Sequence, residues 1–295
     1  MKEKEPFHEF LDSGHGCCPG CALPLVIRHA FHALGEKTVA VITAGCFGTI
    51  SGTFPLSPIK LAAYNTPFAS TAAAASGVRA ALDMLGDRET TVIAVAGDGG
   101  TFDIGIQALS GAAERNEDFI YICYDNEAYM NTGIQRSSAT PLGAWTTTTP
   151  ASNPKNQPKK DIVEIMAGHR IPYLATVSIA YPEDFRNKIQ RAKETRGFKF
   201  IYAFSPCPVG WRFPSEMTVR LARLAVQTRI FPLYEVENGE RFILNEQPES
   251  HPVSEYLKLQ GRFSYLREGD IERIQEQVDR SWKRLMWKVE NPLDG

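Results

Sequence analysis

Two stretches of this chain bring hard oxygen ligands to the ends of apolar runs. Gly97-Asp98-Gly99-Gly100 follows one run and precedes a helical pattern. Twenty-six residues separate Gly99 from Asn126, which lies within Asp125-Asn126-Glu127-Ala128. Asp98 offers a carboxylate, Asn126 a side-chain carbonyl and Ala128 a backbone carbonyl. Two diphosphate oxygens and a water would complete an octahedral magnesium shell around them. Glycines let a backbone approach a diphosphate closely, and a following helix directs its first amides at the anion. Gly-Asp-Gly alone is a weak signal, because a glycine turn explains it. The asparagine at the next strand end makes the pattern far more specific.

Soft ligands form a second set. Cys18-Pro-Gly-Cys21 is a C-x-x-C pair, Cys46 sits in Ala44-Gly45-Cys46-Phe47-Gly48, and Cys207 in Ser205-Pro206-Cys207-Pro208. Four thiolates suit either a structural zinc or an iron–sulfur cluster. The residues by themselves leave that choice open.

Both sets need a scaffold that gathers strand ends on one rim. Residues 38–44, 91–96, 119–124, 173–178 and 199–204 read as buried strands. Residues 71–85, 103–115, about 161–168 and 182–194 read as helices, with Ile104, Ala108, Leu109 and Ala112 on one face of the second. Continuously apolar strands alternating with helices predict an α/β fold with a mostly parallel sheet covered on both faces. Ligands in such sheets bind beyond the carboxyl ends of the strands, where Asp98 and Asn126 fall. Residues 129–160 are rich in Thr, Ser, Pro, Gly and Asn, and a loop this long in a compact domain is usually functional. A hairpin fits around Asn238-Gly239. A closing helix fits 270–289, with Ile271, Ile274, Val278, Trp282, Leu285 and Val289 at helical spacing. The pattern divides the chain into an α/β domain over residues 1–230 and a C-terminal helical extension over 231–295. That extension is expected to pack on the domain and on partner subunits.

The 295 residues, 43% of them hydrophobic, suffice for a sizeable core. A net charge of −2 points to no nucleic-acid or membrane-surface partner. The opening Met1-Lys2-Glu3-Lys4-Glu5-Pro6 lacks the apolar run of a signal peptide, and no apolar stretch reaches membrane-spanning length. A cytoplasmic protein is expected. Grouped cysteines in a reducing compartment favour metal or redox chemistry over disulfides.

The combination of Cys18-x-x-Cys21, 24 residues, Cys46, the Gly-Asp-Gly motif and a late Cys207-Pro208 resembles the beta subunit of the pyruvate:ferredoxin oxidoreductase (2-oxoacid:ferredoxin oxidoreductase) family. The likeness continues through Thr101, through Tyr124 to Gly133, through Pro172-Tyr173 and through Pro206 to Trp211, and it covers most of residues 14–265. It implies the thiamine-diphosphate-binding fold, with Gly97, Asp98, Gly99, Gly100, Thr101, Asn126, Ala128 and Asn131 at the cofactor. Asp98, Asn126 and Ala128 would hold Mg2+, and Gly100 and Thr101 would donate to the diphosphate. The resemblance also resolves the cysteine question: Cys18, Cys21, Cys46 and Cys207 would hold a [4Fe–4S] cluster. Cys17 is then a substitute ligand or an idle neighbour, the latter favoured since Cys18 supplies the two-residue spacing, and Cys123, within a strand, is a core residue.

The implied reaction is oxidative decarboxylation of a 2-oxo acid, with one-electron transfers through the cluster to ferredoxin and the acyl group passing to coenzyme A. Asn131 would lie near thiazolium and substrate as a catalytic residue; the alternative is a loop asparagine that supports a turn. His169 reads as a structural histidine, while His15, beside the cysteine loop, is open to either role. In this family the glutamate that activates the cofactor belongs to the alpha subunit's pyrimidine-binding domain, and no second domain here supplies it. No C-x2-C-x2-C-x3-C-P run is present, so distal clusters belong to gamma or delta subunits. Activity is therefore expected only with partner subunits. Pyruvate is the first expectation for substrate, because residues 134–141 resemble pyruvate-type subunits. Small polar residues over 47–55 leave oxalate or another oxo acid open. A non-redox thiamine decarboxylase or ligase is the rival reading, and the four cysteines oppose it. A subunit with a vestigial thiamine site is a third reading, opposed by the intact Asp98, Gly99 and Asn126.

Overall fold

Six strands run parallel in one sheet: β1 (Thr38–Thr43), β2 (Ala62–Thr66), β3 (Thr91–Gly97), β4 (Ile120–Asp125), β5 (Tyr173–Ser178) and β6 (Lys199–Phe204). A hairpin, β7 (Tyr234–Glu237) and β8 (Arg241–Leu244), joins antiparallel at the β5 edge. The spatial order is β2-β1-β3-β4-β6-β5-β7-β8. This computed structural model describes residues 9–53 and 55–292; the charged opening run and Phe54 lie outside the described residues.

The helices are α1 (Leu23–Leu34), α2 (Cys46–Ile50), α3 (Thr71–Met84), α4 (Ile106–Glu114), α5 (Ile162–Gly168), α6 (Pro182–Glu194), α7 (Pro208–Trp211), α8 (Thr218–Gln227), α9 (Val253–Leu257) and α10 (Glu268–Glu290). Successive strand residues point to opposite faces, and both faces are covered. Along β3, Val92, Ala94 and Ala96 enter a core shared with α3, α4 and α5, while Ile93 and Val95 enter one shared with α1 and α6. Cys123 on β4 belongs to the first core and is fully buried. Burying each Val or Ile side chain stabilises by roughly 1.5–3 kcal/mol, so these strands set the rim firmly.

The strands and helices expected from periodicity are present, with shifts of a residue or two at their ends. Six elements had no counterpart in the sequence reading: α1, the edge strand β2, α8, and the short helices α2, α7 and α9. Helix α1 buries Val26, Ile27, Ala30, Phe31 and Leu34 at helical spacing, behind Pro24 in its first turn. The helix expected over 103–115 also differs. Gly99–Asp103 form a wider π turn, α4 begins at Ile106, and Ile104 is 55% exposed rather than on the buried face. Gly105 explains the break: a Cβ there would lie 2.1 Å from the Gly100 carbonyl oxygen. Leu109 and Ala112 do face the core. The hairpin turns at Asn238 and Gly239, both with positive φ, as a tight hairpin requires. Trp282 and Leu285 are the buried positions of α10, and Ile271, Ile274, Val278 and Val289 pack partly buried beside them.

Candidate active site

Four neighbouring strands, in the order β1, β3, β4 and β6, end on one rim. Their first residues beyond the sheet deliver, in that order, Cys46, Asp98, Asn126 and Cys207. Gly97 pairs with Tyr124 in the ladder, so Asp98 and Asn126 leave adjacent strands nearly side by side.

Asp98 is 1% exposed, and its Oδ2 accepts a short hydrogen bond from Ser137 Oγ. Burial and the neighbouring Asp125 push its carboxyl well above the usual range, against the pull of Ser137. The Asn126 amide decides what this pocket can hold. In one orientation its NH2 donates to Asp98 Oδ1 and to the Ala128 carbonyl, each at 2.8 Å. In the other its oxygen faces these same two oxygens, and its nitrogen lies 4.0 Å from Cys46 Sγ. Three mutually facing oxygens repel unless a cation sits between them. Adjacent ligands in an octahedral magnesium shell lie about 3 Å apart, from bonds of roughly 2.1 Å. Asp98, Asn126 and Ala128 thus fit a magnesium ion in both donor type and spacing.

Asn126 is held from three directions. Trp211 Nε1 donates to its carbonyl at 2.8 Å, from the fully buried end of α7. Next to it, Glu127 takes a left-handed φ of 67°, unusual outside glycine. This kink turns the chain so that Asn126 and Ala128 face Asp98. Thr140 Oγ1 donates to the Glu127 carbonyl at 2.7 Å, while the Glu127 carboxylate accepts from Lys159 Nζ at 2.8 Å and from Arg262 at 2.6 Å. Lys159 also pairs closely with Asp125, which accepts from the Tyr202 hydroxyl as well. Burial alone would raise Glu127, but Lys159 and Arg262 outweigh it and hold it below the ordinary range. The two carboxylates in turn raise Lys159 against the effect of its own burial.

The glycine turn is shaped by contact. A Cβ on Gly99 would fall 2.3 Å from the Tyr129 ring, whereas at Gly100 nothing lies closer than 3.6 Å. The Thr101 hydroxyl donates to the Gly97 carbonyl at 2.7 Å and lies 3.2 Å from Tyr121 Oη, so only its backbone remains to face an anion. The long polar loop straps this turn. Ser137 reaches Asp98, the Ser138 amide donates to Asp103 at 3.0 Å, and Lys160 donates to the Phe102 carbonyl.

Asn131 is exposed at the cleft, where its Oδ1 accepts from Thr49 Oγ1 at 3.4 Å. In the segment after Cys46, Phe47 and Ile50 turn into the core, leaving Thr49 toward Asn131. His169 ends α5 and lies 3.1 Å from Ser110 Oγ, and it does not line the cleft. His15 Nδ1 is buried without a partner.

The cysteine loop docks on the same rim. The Ala22 amide donates to the Pro206 carbonyl at 3.4 Å, and Thr218 Oγ1 donates to the Gly20 carbonyl at 2.5 Å. Burial, then Cys21, Cys207 and Cys18, push the Cys46 thiol up to about 12. Burial, with Cys21 and Cys18, pushes Cys207 up to about 11, although its sulfur accepts from the Gly210 amide at 3.4 Å. Cys18 and Cys21 thus act on both Cys46 and Cys207, and four such thiolates would suit a cationic cluster. As they stand, no three His, Cys, Asp or Glu side chains among the described residues are gathered closely enough to hold a metal ion. Cys17 is not detached from them: its thiol donates to Cys21, which lowers Cys21 and raises Cys17. All of the cysteines are free.

Sequence reasoning missed Ser137, Lys159, Trp211 and Arg262. Ser137 and Lys159 lie in the loop marked as functional and Trp211 in a segment of the resemblance, but none shows locally which site residue it reaches, since each contact is made from far along the chain.

Comparison with known proteins agrees with this geometry. Residues 43–203 match the family model "Thiamine pyrophosphate enzyme, C-terminal TPP binding domain". The chain is 49% identical to the ketoisovalerate oxidoreductase subunit VorB of Pyrococcus furiosus, over 95% of this chain and 93% of that one. It is 47% identical to the pyruvate synthase subunit PorB of Methanocaldococcus jannaschii, over 95% and 97%. The fold is shared with a 2-oxoglutarate:ferredoxin oxidoreductase from Magnetococcus marinus, at a TM-score of 0.60 and 23% identity over 76% of this chain and 81% of that one. A thiamine-diphosphate-binding sheet, matched nearly end to end by oxidoreductase subunits, places this chain among the beta subunits of the 2-oxoacid:ferredoxin oxidoreductase family.

Proposed function

We propose that this chain supplies the diphosphate-binding half of an active site that oxidatively decarboxylates a 2-oxo acid, pyruvate first. In this reading Asp98, Asn126 and Ala128 hold Mg2+, and Cys18, Cys21, Cys46 and Cys207 hold a [4Fe–4S] cluster. The observation that carries it is the 4.0 Å approach of Cys46 Sγ to the amide of Asn126. A diphosphate-anchoring residue and a cluster ligand touch, so cofactor and electron acceptor share one wall. When bound, thiamine diphosphate supplies the electron sink for decarboxylation. The protein's own work is positional. Trp211 and the Glu127 kink fix Asn126, Ser137 orients Asp98, and Thr49 presents Asn131 to the substrate side of the cleft.

Gly97, Gly99, Gly100 and Thr101 serve the diphosphate through their backbone. Among the described residues lining the cleft, Asp98 is the one carboxylate. Glu127 is committed to Lys159 and Arg262 and does not line it. The activating glutamate therefore comes from an alpha subunit. Edge strand β2, exposed from Ala62 to Asn65, and Met84 and Leu85, 88% and 81% exposed at the end of α3, offer a docking face for it. Gamma and delta subunits with further clusters, ferredoxin and coenzyme A complete the proposed cytoplasmic assembly, with residues 231–295 packing against the domain and its partners.

The test is anaerobic purification with native partners, followed by iron, magnesium and thiamine assays and a 2-oxo-acid panel with a viologen acceptor. Pyruvate, 2-oxoisovalerate, 2-oxoglutarate and oxalate form the panel. Brown, iron-containing protein that reduces viologen with pyruvate supports the reading. Colourless, iron-free protein that decarboxylates without the acceptor contradicts it and favours a non-redox thiamine enzyme.

A further inference from the structure

A second cavity among the described residues lies away from the diphosphate turn. It lies between the end of β6, residues 229–234, α9 and α10, and shares no lining residue with the cofactor cleft. Its walls combine aromatic side chains, including Tyr202, Phe231 and Trp282, with aliphatic and charged ones. Of its carboxylates, Glu127 is paired with Lys159 and Arg262, Glu164 with Lys288, and Asp161 caps α5. Two polar groups in it are buried and unspent. The Tyr256 hydroxyl belongs to a side chain 2% exposed and has no hydrogen-bond partner, although Gln260 and Arg262 lie beside it. Arg229 Nε is likewise buried without an acceptor. Unmade hydrogen bonds of buried groups are costly, and a native site with two of them invites a ligand that makes them.

Arg229 is also held at a backbone cost. It follows α8 with φ of 63°, the left-handed position that glycine usually takes after a helix. Its guanidinium lies 4.7 Å from the Trp282 ring centroid, which aims the charge along the aromatic wall. Of the other cations on this wall, Lys159 is committed to Asp125 and Glu127, Lys160 to Asp103 and the Phe102 carbonyl, and Arg284 lies beside Asp161. Among these four cations, Arg229 is the one with a buried donor left unpaired.

We propose that this cavity binds a small monocarboxylate with an aromatic or branched apolar body. Arg229 takes the carboxylate, Tyr256 adds a second polar contact, and the body lies against Tyr202, Phe231 and Trp282. Ligand pockets of this composition, apolar with a few convergent polar groups, are the usual small-molecule sites.

Phenylacetate is the probe, with phenylacetamide as its uncharged counterpart, titrated into the full chain by tryptophan fluorescence. Two variants keep the result independent of folding. Arg229→Gly removes the guanidinium and suits the left-handed backbone, and Tyr256→Phe removes only the orphan hydroxyl. Both should melt no lower than the parent. Expected are saturable phenylacetate binding, at least about tenfold weaker binding of the amide, and loss of phenylacetate binding in Arg229→Gly. A soaked crystal should show the carboxylate at Arg229. Equal affinity for acid and amide, unchanged binding in Arg229→Gly, or ordered water alone at Tyr256 overturns the proposal.

Discussion

Replacing Lys159 by methionine tests whether buried charge holds the metal-site turn. Lys159 Nζ pairs with both Asp125 and Glu127, whose side chains are 0% and 2% exposed. Removing one partner of a buried pair typically costs about 3–5 kcal/mol, because a charge is stranded. Here Arg262 still serves Glu127 at 2.6 Å, and Tyr202 still donates to Asp125. The lower end, about 3 kcal/mol, is therefore expected. For a chain of this size that corresponds to a fall of roughly 6–10 °C in melting temperature. Asp125 and Glu127 flank Asn126, so magnesium–thiamine diphosphate should also bind at least about tenfold more weakly. Adding Asp125→Asn removes the stranded charge, and the double variant should recover more than half of the lost stability. Thermal unfolding of the anaerobically purified full chain and calorimetric cofactor titration measure both effects. A Lys159→Met variant that melts within about 1 °C of the parent, or a double variant no better than the single one, refutes the reasoning.

Asp98→Asn should weaken magnesium–thiamine diphosphate binding at least about 100-fold, since it removes a direct ligand. It should not destabilise the metal-free chain, where burial opposes ionisation of Asp98; calorimetry with and without cofactor separates the two effects. Iron content and visible absorption distinguish the adjacent cysteines: Cys17→Ala should retain the cluster, and Cys18→Ala should lose it. Burial, Arg136 and Lys159 push Lys155 down to about 8, below its unfolded value of about 10.4. Between these values the unfolded chain holds more protons, so this lysine's contribution makes stability rise with pH across that window. Unfolding free energies at several pH values should show the rise in the parent and a flatter profile in Lys155→Met.

The sheet was legible because its central strands are buried on both faces and so read as unbroken apolar runs. Their carboxyl ends placed Asp98, Asn126, Cys46 and Cys207 on one rim before any coordinates. Strand β2 was not legible, because Ala62–Asn65 are exposed on an edge and carry no apolar pattern. The π turn was hidden because its cause is a contact, the space Gly105 leaves for the Gly100 carbonyl. Long-range support for the site escaped for the same reason. Arg262 reaches Glu127 across 135 residues, and Trp211 reaches Asn126 across 85. Local composition marks the loop around Ser137 and Lys159 as unusual, yet only the fold shows which of its side chains turn inward.

The central claim is that a magnesium–diphosphate site and a four-cysteine cluster share one wall and act together. Electron paramagnetic resonance of the anaerobic complex, frozen just after pyruvate is added, tests it most directly. The account predicts a substrate-dependent signal from the reduced cluster. That signal should vanish in Asp98→Asn while iron content stays unchanged, and vanish in Cys207→Ala together with the iron. A substrate-dependent signal of equal size in Asp98→Asn, or in complex stripped of magnesium and thiamine diphosphate, would contradict it.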